Sequence, residues 1–481
     1  MTVPAARITL RTSAPARPER EYVLYWMTAA RRTRFNFALE HAIAAAIRLD
    51  RGLVVLEALR CDYRYASDRL HRFVLDGMAD NAARMRAAGV TYYSYVEPRA
   101  GAGKGLLRRL ARNACLVVTD DFPCFFLPRM TDAAAAALDV RLEAVDGNGL
   151  LPLSDADHAF PTAYAFRRHL QRRLPIHVEQ LPEPDPLAGN TVRPVSIPPE
   201  IAARWPSAAG GLASLPIDHD VAPVDGRRGG ELAGAELIAE FVGGKLARYA
   251  DARNEPDQES TSGLSPYLHF GHVSPHHVFL AVAARESWSP RDLAPTSAGR
   301  REGWWGMSAP AEAFLDQVVT WRELGYNGCA HGSSYDTLGC LPEWAKRTLA
   351  EHAGDARAFT YGLSELAEAR THDPLWNAAQ VQLLREGRIH NYLRMLWGKK
   401  ILEWTRSPED ALEIMVALND RFALDGRDPN SYSGITWVLG RYDRAWGPER
   451  PVFGTVRYMS SENTARKMRL AGYLRRFARR E

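Results

Sequence analysis

YVLYWMTAARRTRFNFALEHAIAAAIRLDRGLVVLEAL (Tyr22–Leu59) is the stretch that decides the fold. Its first six residues, YVLYWM (Tyr22–Met27), are apolar throughout, as a strand buried on both faces must be. FALEHAIAAAIRL (Phe37–Leu49) follows with a helical pattern, and LVVLEAL (Leu53–Leu59) is a second continuous apolar run. Strand, helix and strand at this spacing predict a parallel sheet wrapped by helices. The alternation continues, with a helix predicted over Ser67–Arg86 and strands at VTYYSYV (Val90–Val96) and CLVVTDD (Cys115–Asp121). A Rossmann-like α/β fold follows, but no ligand does, because doubly wound sheets host many functions. GAGKG (Gly101–Gly105) fits neither GxxxxGK[ST] nor GxGxxG, so it reads as a flexible loop.

Beyond this segment the pattern changes twice. Between Leu181 and Glu231, stretches such as LPEPDPLAGN and PSAAGGLASLP are rich in Pro, Gly and Ser with little periodicity, which predicts a connector draped over the surface. From Glu231 onward nearly every segment is helical, including AEAFLDQVVTWREL and NAAQVQLLREGRIHNYLRMLWGKKILEWT. A chain of 481 residues exceeds one ordinary hydrophobic core. The expected organisation is therefore an α/β domain over residues 1–180, a linker over 181–230 and an all-α domain over 231–481.

Several function classes drop out on composition. At 46% hydrophobic and 25% charged residues the balance is that of a globular protein, and no apolar run of about 18 residues suggests a membrane span. The basic amino terminus lacks the apolar core of a secretory signal, so the cytoplasm is the expected compartment. Five cysteines with no CxxC pattern argue against a disulfide framework or a zinc site. The cluster His269, His272, His276 and His277 lacks a carboxylate or thiolate complement, so no metal is expected. Net charge is only +4, yet Arg466–Glu481 carries seven Lys/Arg among sixteen residues. Such a tail suits a polyphosphate surface or the solvated face of a terminal helix.

Chemistry concentrates in the helical half. In TSGLSPYLHFGHVSP (Thr261–Pro275), Thr261, Ser262 and Ser265 put hydroxyls and amides on a turn before a helix, an arrangement that can hold a pyrophosphate. Alone, an ordinary N-capped helix start explains it better. Nine of the twelve tryptophans lie at or after Trp304. Within RIHNYLRMLWGKKILEWT, Arg394, Trp397 and Trp404 share one helical face, with the two indoles about 10 Å apart along the axis. A core stripe explains this pattern, and so does a relay of oxidisable indoles.

SPYLHFG, DPLWNAAQ, LRMLWGKKILEW, LNDRFALDGRDPN and RPVFGTVRYM together resemble the diagnostic segments of class II cyclobutane pyrimidine dimer photolyases. The resemblance covers residues 245–468 strongly and the amino-terminal half weakly. It implies a non-covalent FAD held by Tyr249, Thr261, Ser262, Gly263, Leu264 and Ser265, with Asn419 facing flavin N5 and the Arg394–Asp425 pair beside the isoalloxazine. It further implies an electron chain of Trp397, nearest the flavin, with Trp376 and Trp404. Trp321, Trp437 and Met395 correspond to the walls that receive a dimer flipped out of ultraviolet-damaged DNA. The implied protein is a monomer that repairs such dimers with light.

Two departures stand against the pattern. Where the family has a glutamate that steadies the dimer's carbonyl edge, this chain has Gln317, four residues before Trp321 and thus one helical turn back. An amide can donate a hydrogen bond but cannot supply a proton. Asp316 is adjacent yet projects about 100° away on a helix. Gln317 keeps three readings open: dimer repair, repair of (6-4) photoproducts, whose photolyases carry glutamine here, or a cryptochrome-like photoreceptor without repair. In the amino-terminal half, YWMTAARRTRFNFAL (Tyr25–Leu39) has Phe35 and Phe37 where the family has Asp and Trp. VDGNGLLPLSDADHAF, from Val145, likewise replaces the family's VDAHN segment. These changes leave the antenna chromophore unassigned.

Overall fold

The structure is a computed structural model that describes residues 3–207, 211–296, 298–332 and 334–479. The chain forms two compact units that interleave along the sequence. One takes in Met1–Asp155, Arg173–Val242 and Gly263–Arg291; the other takes in Ala156–Arg172, Gly243–Ser262 and Asp292–Glu481.

The first unit is built on a six-stranded sheet of β1 (Ile8–Leu10), β2 (Tyr22–Met27), β3 (Gly52–Leu59), β4 (Thr91–Val96), β5 (Ala114–Asp120) and β6 (Leu142–Val145), in the order β1-β6-β5-β2-β3-β4. All neighbours are parallel except β1 against β6. The four strands expected from the apolar runs are all present. The two short strands β1, at one edge, and β6, between β1 and β5, were not legible, because three or four residues are too few to show a period. Every residue of β2 is buried, as a central parallel strand covered on both faces requires. Helix α1 (Phe37–Leu49) starts on Asn36, whose side chain accepts from Leu39 N, and α2 (Asp68–Ala87) starts on Ser67 in the same way. Where the strand order reverses, between β2 and β5, Asp120 accepts the amides of Thr28, Ala29 and Ala30 at 2.7–2.9 Å and the Tyr25 hydroxyl at 2.7 Å. In a doubly wound sheet this crevice is the usual ligand position; here a carboxylate of the chain itself takes those donors.

Residues 181–230 behave differently from a loose surface connector. Leu187 and Val192 pack with α1 and the sheet, Ile201 and Trp205 fill the opposite face, and Pro199–Arg204 forms a short helix. Prolines and glycines suppress periodicity in the sequence without keeping the intervening apolar side chains out of a core. The histidines serve the packing of this unit: His272 Nδ1 accepts from Gly230 N at 2.9 Å, and His277 stacks on Phe35.

The second unit is helical. It contains α3 (Ala309–Leu315), a π-helical segment (Asp316–Trp321), α4 (Arg322–Ala330), α5 (Pro374–Glu386), α6 (Asn391–Trp404), α7 (Pro408–Phe422), α8 (Pro429–Val438) and α9 (Ala471–Arg476). Three of these helices open with a capping side chain followed by proline: Asp373-Pro374, Ser407-Pro408 and Asp428-Pro429. The cap satisfies an orphan amide, and proline at the first turn forfeits none. Two glycines set helix spacing. A Cβ on Gly325 of α4 would lie 3.0 Å from Asn430 Cα of α8, and one on Gly398 of α6 would lie 2.6 Å from Val438 Cγ2. The α4, α6 and α8 axes therefore approach more closely than any larger residue permits, which fixes where Trp397 and Trp437 stand on their helices. Among the described residues no helix is long and apolar enough to cross a membrane.

Candidate functional site

Asp373 is where the site begins. Its carboxylate caps α5 by accepting from Leu375 N and Trp376 N at 3.0 Å each, and it also takes the Ser461 hydroxyl. That cap fixes Trp376, whose indole is fully buried and donates from Nε1 to the Trp397 carbonyl at 3.0 Å. The rings of Trp376 and Trp397 are parallel to within 4° with centroids 6.4 Å apart. On the other side Trp376 meets Trp404 edge-on at 5.7 Å. The order in space is thus Trp397, Trp376, Trp404, with the residue from α5 inserted between the two from α6. The Trp376 ring thus contacts both indoles of α6.

Each end of the run has a polar partner that the sequence reading missed. Trp397 Nε1 donates to Gln380 Oε1 at 2.9 Å. Gln380 stands four residues after Trp376, so it faces the same way, and this spacing was the available signal. At the other end Trp404 touches Tyr361 at 5.5 Å and His372 at 5.2 Å, and the Tyr361 hydroxyl pairs with His372 Nδ1 at 2.7 Å. His372 is exposed and Tyr361 partly so, which brings the aromatic run to the surface. No local pattern marks Tyr361, because it lies far from Trp404 in the chain.

On the face of α6 next to Trp397, Arg394 Nη2 pairs with Asp425 at 3.1 Å. Both side chains are largely buried, so the pair places compensated charge where water is scarce. Asn419 of α7 donates its amide nitrogen to Ser431 Oγ at 2.8 Å and to Asp420 at 3.2 Å. Both bonds use the nitrogen, so the carbonyl oxygen is turned outward as an acceptor without a protein partner among the described residues. Burial pushes the Asp420 carboxyl up, with Arg427 opposing. His390, at the start of α6, has both ring nitrogens buried; burial pushes the imidazole down to about 4, with the Arg253 backbone opposing. Tyr249 is buried against Phe314 in an edge-on contact at 5.3 Å, with the Arg253 guanidinium 5.7 Å from its ring. The Asn419 carbonyl and the Arg394–Asp425 pair are acceptor and donor groups of the kind that the edge of a heteroaromatic ring system requires, so the residues fit FAD.

The implied diphosphate segment crosses the division of the chain: Thr261 and Ser262 belong to the second unit, Gly263, Leu264 and Ser265 to the first. Gly263 has φ +66° with open space around its Cβ position, a backbone conformation that favours glycine. A short helix begins at Ser265 and runs to His269.

Gln317 and Trp321 lie in the π-helical segment, where an α-helix was expected. The wider turn still returns residue i+4 to about the same face, and both side chains are half-buried. Such π turns recur at functional positions, and nothing in the local sequence announces one. Asp316 is committed elsewhere, pairing with Arg167 Nη2 at 2.9 Å and Nε at 3.0 Å. Gln317 makes no side-chain hydrogen bond to another described residue. Met395 is half-buried on α6. Trp437, also half-buried, is backed by Lys399 Nζ at 5.5 Å and by the Arg457 guanidinium at 5.3 Å from its ring centre. Lys399 itself is fully buried and donates to the Val438 carbonyl.

The fold is similar to that of a bacterial class III photolyase from Agrobacterium tumefaciens, whose solved structure matches with a TM-score of 0.69 at 17% identity over 95% of this chain and 86% of that one. No family model matches the chain. A deoxyribodipyrimidine photo-lyase of Methanothermobacter thermautotrophicus is 36% identical over 456 residues, which is 95% of this chain and 94% of the relative. Another, from Potorous tridactylus, is 32% identical over 464 residues, 95% of this chain and 81% of the relative. The chain belongs to the deoxyribodipyrimidine photolyase family.

Proposed function

We propose that this protein repairs cyclobutane pyrimidine dimers in ultraviolet-damaged DNA with light, in the manner of a class II photolyase. The observation that carries the reading is the continuous aromatic run Trp397–Trp376–Trp404, which ends at Tyr361 and His372 on the surface. A packed core has no need of three indoles in sequence with polar partners at both ends. A photoreducible cofactor does. FAD, when bound and reduced, would supply the light-driven electron that splits the two carbon–carbon bonds of the cyclobutane ring and then returns.

The chain's own groups take the remaining parts. Tyr249, Thr261, Ser262, Gly263, Leu264 and Ser265 hold the cofactor, the hydroxyls and amides of the turn receiving its diphosphate. Asn419 Oδ1 accepts from a protonated ring nitrogen, and the Arg394–Asp425 pair sets the local charge without a net burial of charge. Trp404, Trp376 and Trp397 pass an electron inward from Tyr361 and solvent. Trp321, Trp437 and Met395 form apolar walls that compensate the stacking lost when a dimer leaves the duplex. Gln317 donates its amide N–H to a pyrimidine carbonyl. The helical unit carries the groups that serve flavin ring and lesion, and the boundaries expected at residues 180 and 230 give way to the interleaved division of the chain.

Gln317 favours one second reading, repair of (6-4) photoproducts, since an amide offers a hydrogen bond but no acid. The test uses purified, photoreduced protein and thymine oligonucleotides carrying either lesion, in light and in darkness. Light-dependent loss of cyclobutane dimers is the expected result. Loss of the (6-4) lesion alone would move the assignment to the second reading, and loss of neither would refute repair altogether.

A further inference from the structure

The basic carboxy-terminal segment is not a loose tail in this fold; it is tied to the loop that leads into Thr261. Three acidic residues of that loop each reach it. Glu255 Oε2 accepts from Arg469 N at 3.2 Å, Asp257 accepts from Gly472 N at 3.0 Å and from Tyr473 N, and Glu259 pairs with Arg476 Nη1 at 3.2 Å. Asp257 thereby caps the first turn of α9. The loop itself is a series of tight turns, Glu255 N to Ala252 O, Gln258 N to Glu255 O and Ser260 N to Gln258 O, running from Tyr249–Ala252 to Ser260. From behind, α5 holds α9: the Tyr473 hydroxyl donates to Gln382 Oε1 at 2.9 Å, and Arg385 donates to the carbonyls of Arg476 and Ala478. Gln382 Oε1 also accepts from His390 N at 2.9 Å. One amide oxygen thus joins the terminal helix to the start of α6, and the Tyr473 ring is fully buried there.

We infer that the segment Arg469–Arg476 braces the cofactor loop, with Asp257 and Tyr473 as positioning residues that slow the release of bound FAD. This rests on the reading of Tyr249, Thr261 and Ser262 as FAD contacts. Loop residues 253–260 have few buried apolar side chains of their own, so their order depends on partners. A loop with local opening of low free energy lets a ligand escape; the ties from Glu255, Asp257 and Glu259 to the terminal segment raise that free energy.

The experiment follows FAD release from the full-length, FAD-loaded protein after dilution, read by the rise in flavin fluorescence. Asp257→Ala should release FAD about five- to tenfold faster, the ratio that a lost helix cap produces. Asp257→Asn, which keeps one of the two accepting oxygens at the cap, should release FAD at a rate between those of wild type and Asp257→Ala. Tyr473→Phe removes only one hydroxyl and should accelerate release severalfold; it serves if Asp257→Ala does not fold. Photoreduction per bound flavin should stay unchanged in all of them, which separates bracing from a general loss of structure. If the wild type holds FAD and both Asp257→Ala and Tyr473→Phe release it at the wild-type rate, the brace is wrong while the cofactor reading stands. If the wild type cannot be loaded with FAD, the cofactor reading falls and the brace with it.

Discussion

Replacing Lys399 by methionine tests whether the support behind Trp437 is a buried ion. Lys399 is fully buried on α6, with one hydrogen bond to the Val438 carbonyl and the Trp437 ring 5.5 Å away. Burial pushes its ammonium down from 10.5 to about 7; Asp443 pulls upward and Arg457 adds to the depression. Below pH 7 the folded and unfolded chains both carry the proton, so the full cost of the buried charge is present. Between 7 and 10.5 the folded chain is neutral at this position and the unfolded chain is charged, so stability rises with pH. Above 10.5 neither carries it. The gap of about 3.5 pH units corresponds to on the order of 5 kcal/mol below pH 7, and to a slope of ~1.4 kcal/mol per pH unit above it. Lys399→Met removes this cost and loses a hydrogen bond worth ~1 kcal/mol. The variant should therefore be the more stable protein at pH 6 by a few kcal/mol, and its lead should shrink by about 3 kcal/mol by pH 9.5. Urea unfolding of both proteins at pH 6, 8 and 9.5 measures this, and titrations common to the two cancel in the difference. A stability difference that stays constant with pH would show that Lys399 does not change charge in this range.

Three further outcomes follow from the geometry. Trp376→Phe removes the middle indole and should abolish photoreduction under blue light with an external thiol while FAD stays bound; undiminished photoreduction would exclude Trp376 from the route. Gln317→Glu should increase the rate of dimer repair at saturating substrate, measured as dimers lost per photon absorbed, and an unaltered rate would place the side chain away from the lesion. Gly325→Ala sets a Cβ 3.0 Å from Asn430 Cα and should cost about 1–3 kcal/mol through forced separation of α4 and α8. Its thermal midpoint should fall by several degrees, and an unchanged midpoint would show that the two helices have room to part.

The sequence alone determined the elements whose signal is local. Continuous apolar runs marked β2, β3 and β5, because a central parallel strand must be apolar on both faces, and the aromatic run of VTYYSYV marked the edge strand β4; the three- and four-residue strands β1 and β6 were too short to leave such a trace. The cap-proline pairs Asp373-Pro374, Ser407-Pro408 and Asp428-Pro429 carried a local signal for the starts of α5, α7 and α8 that the sequence reading did not use. The strings SPYLHFG, DPLWNAAQ and LRMLWGKKILEW pointed to the family that full-length relatives then established. What only the tertiary structure decided is which residues from distant segments meet. Trp376 stands between Trp397 and Trp404 because Asp373 anchors one helix while Gly398 lets its neighbour approach the core, and helical spacing on α6 cannot contain that insertion. The π turn at Asp316–Trp321, the Arg167 partner that holds Asp316 away, the Tyr361–His372 end of the aromatic run and the terminal helix tied to Asp257 share the same cause. Each depends on a contact made across the fold, and the free energy that selects it has no period along the chain.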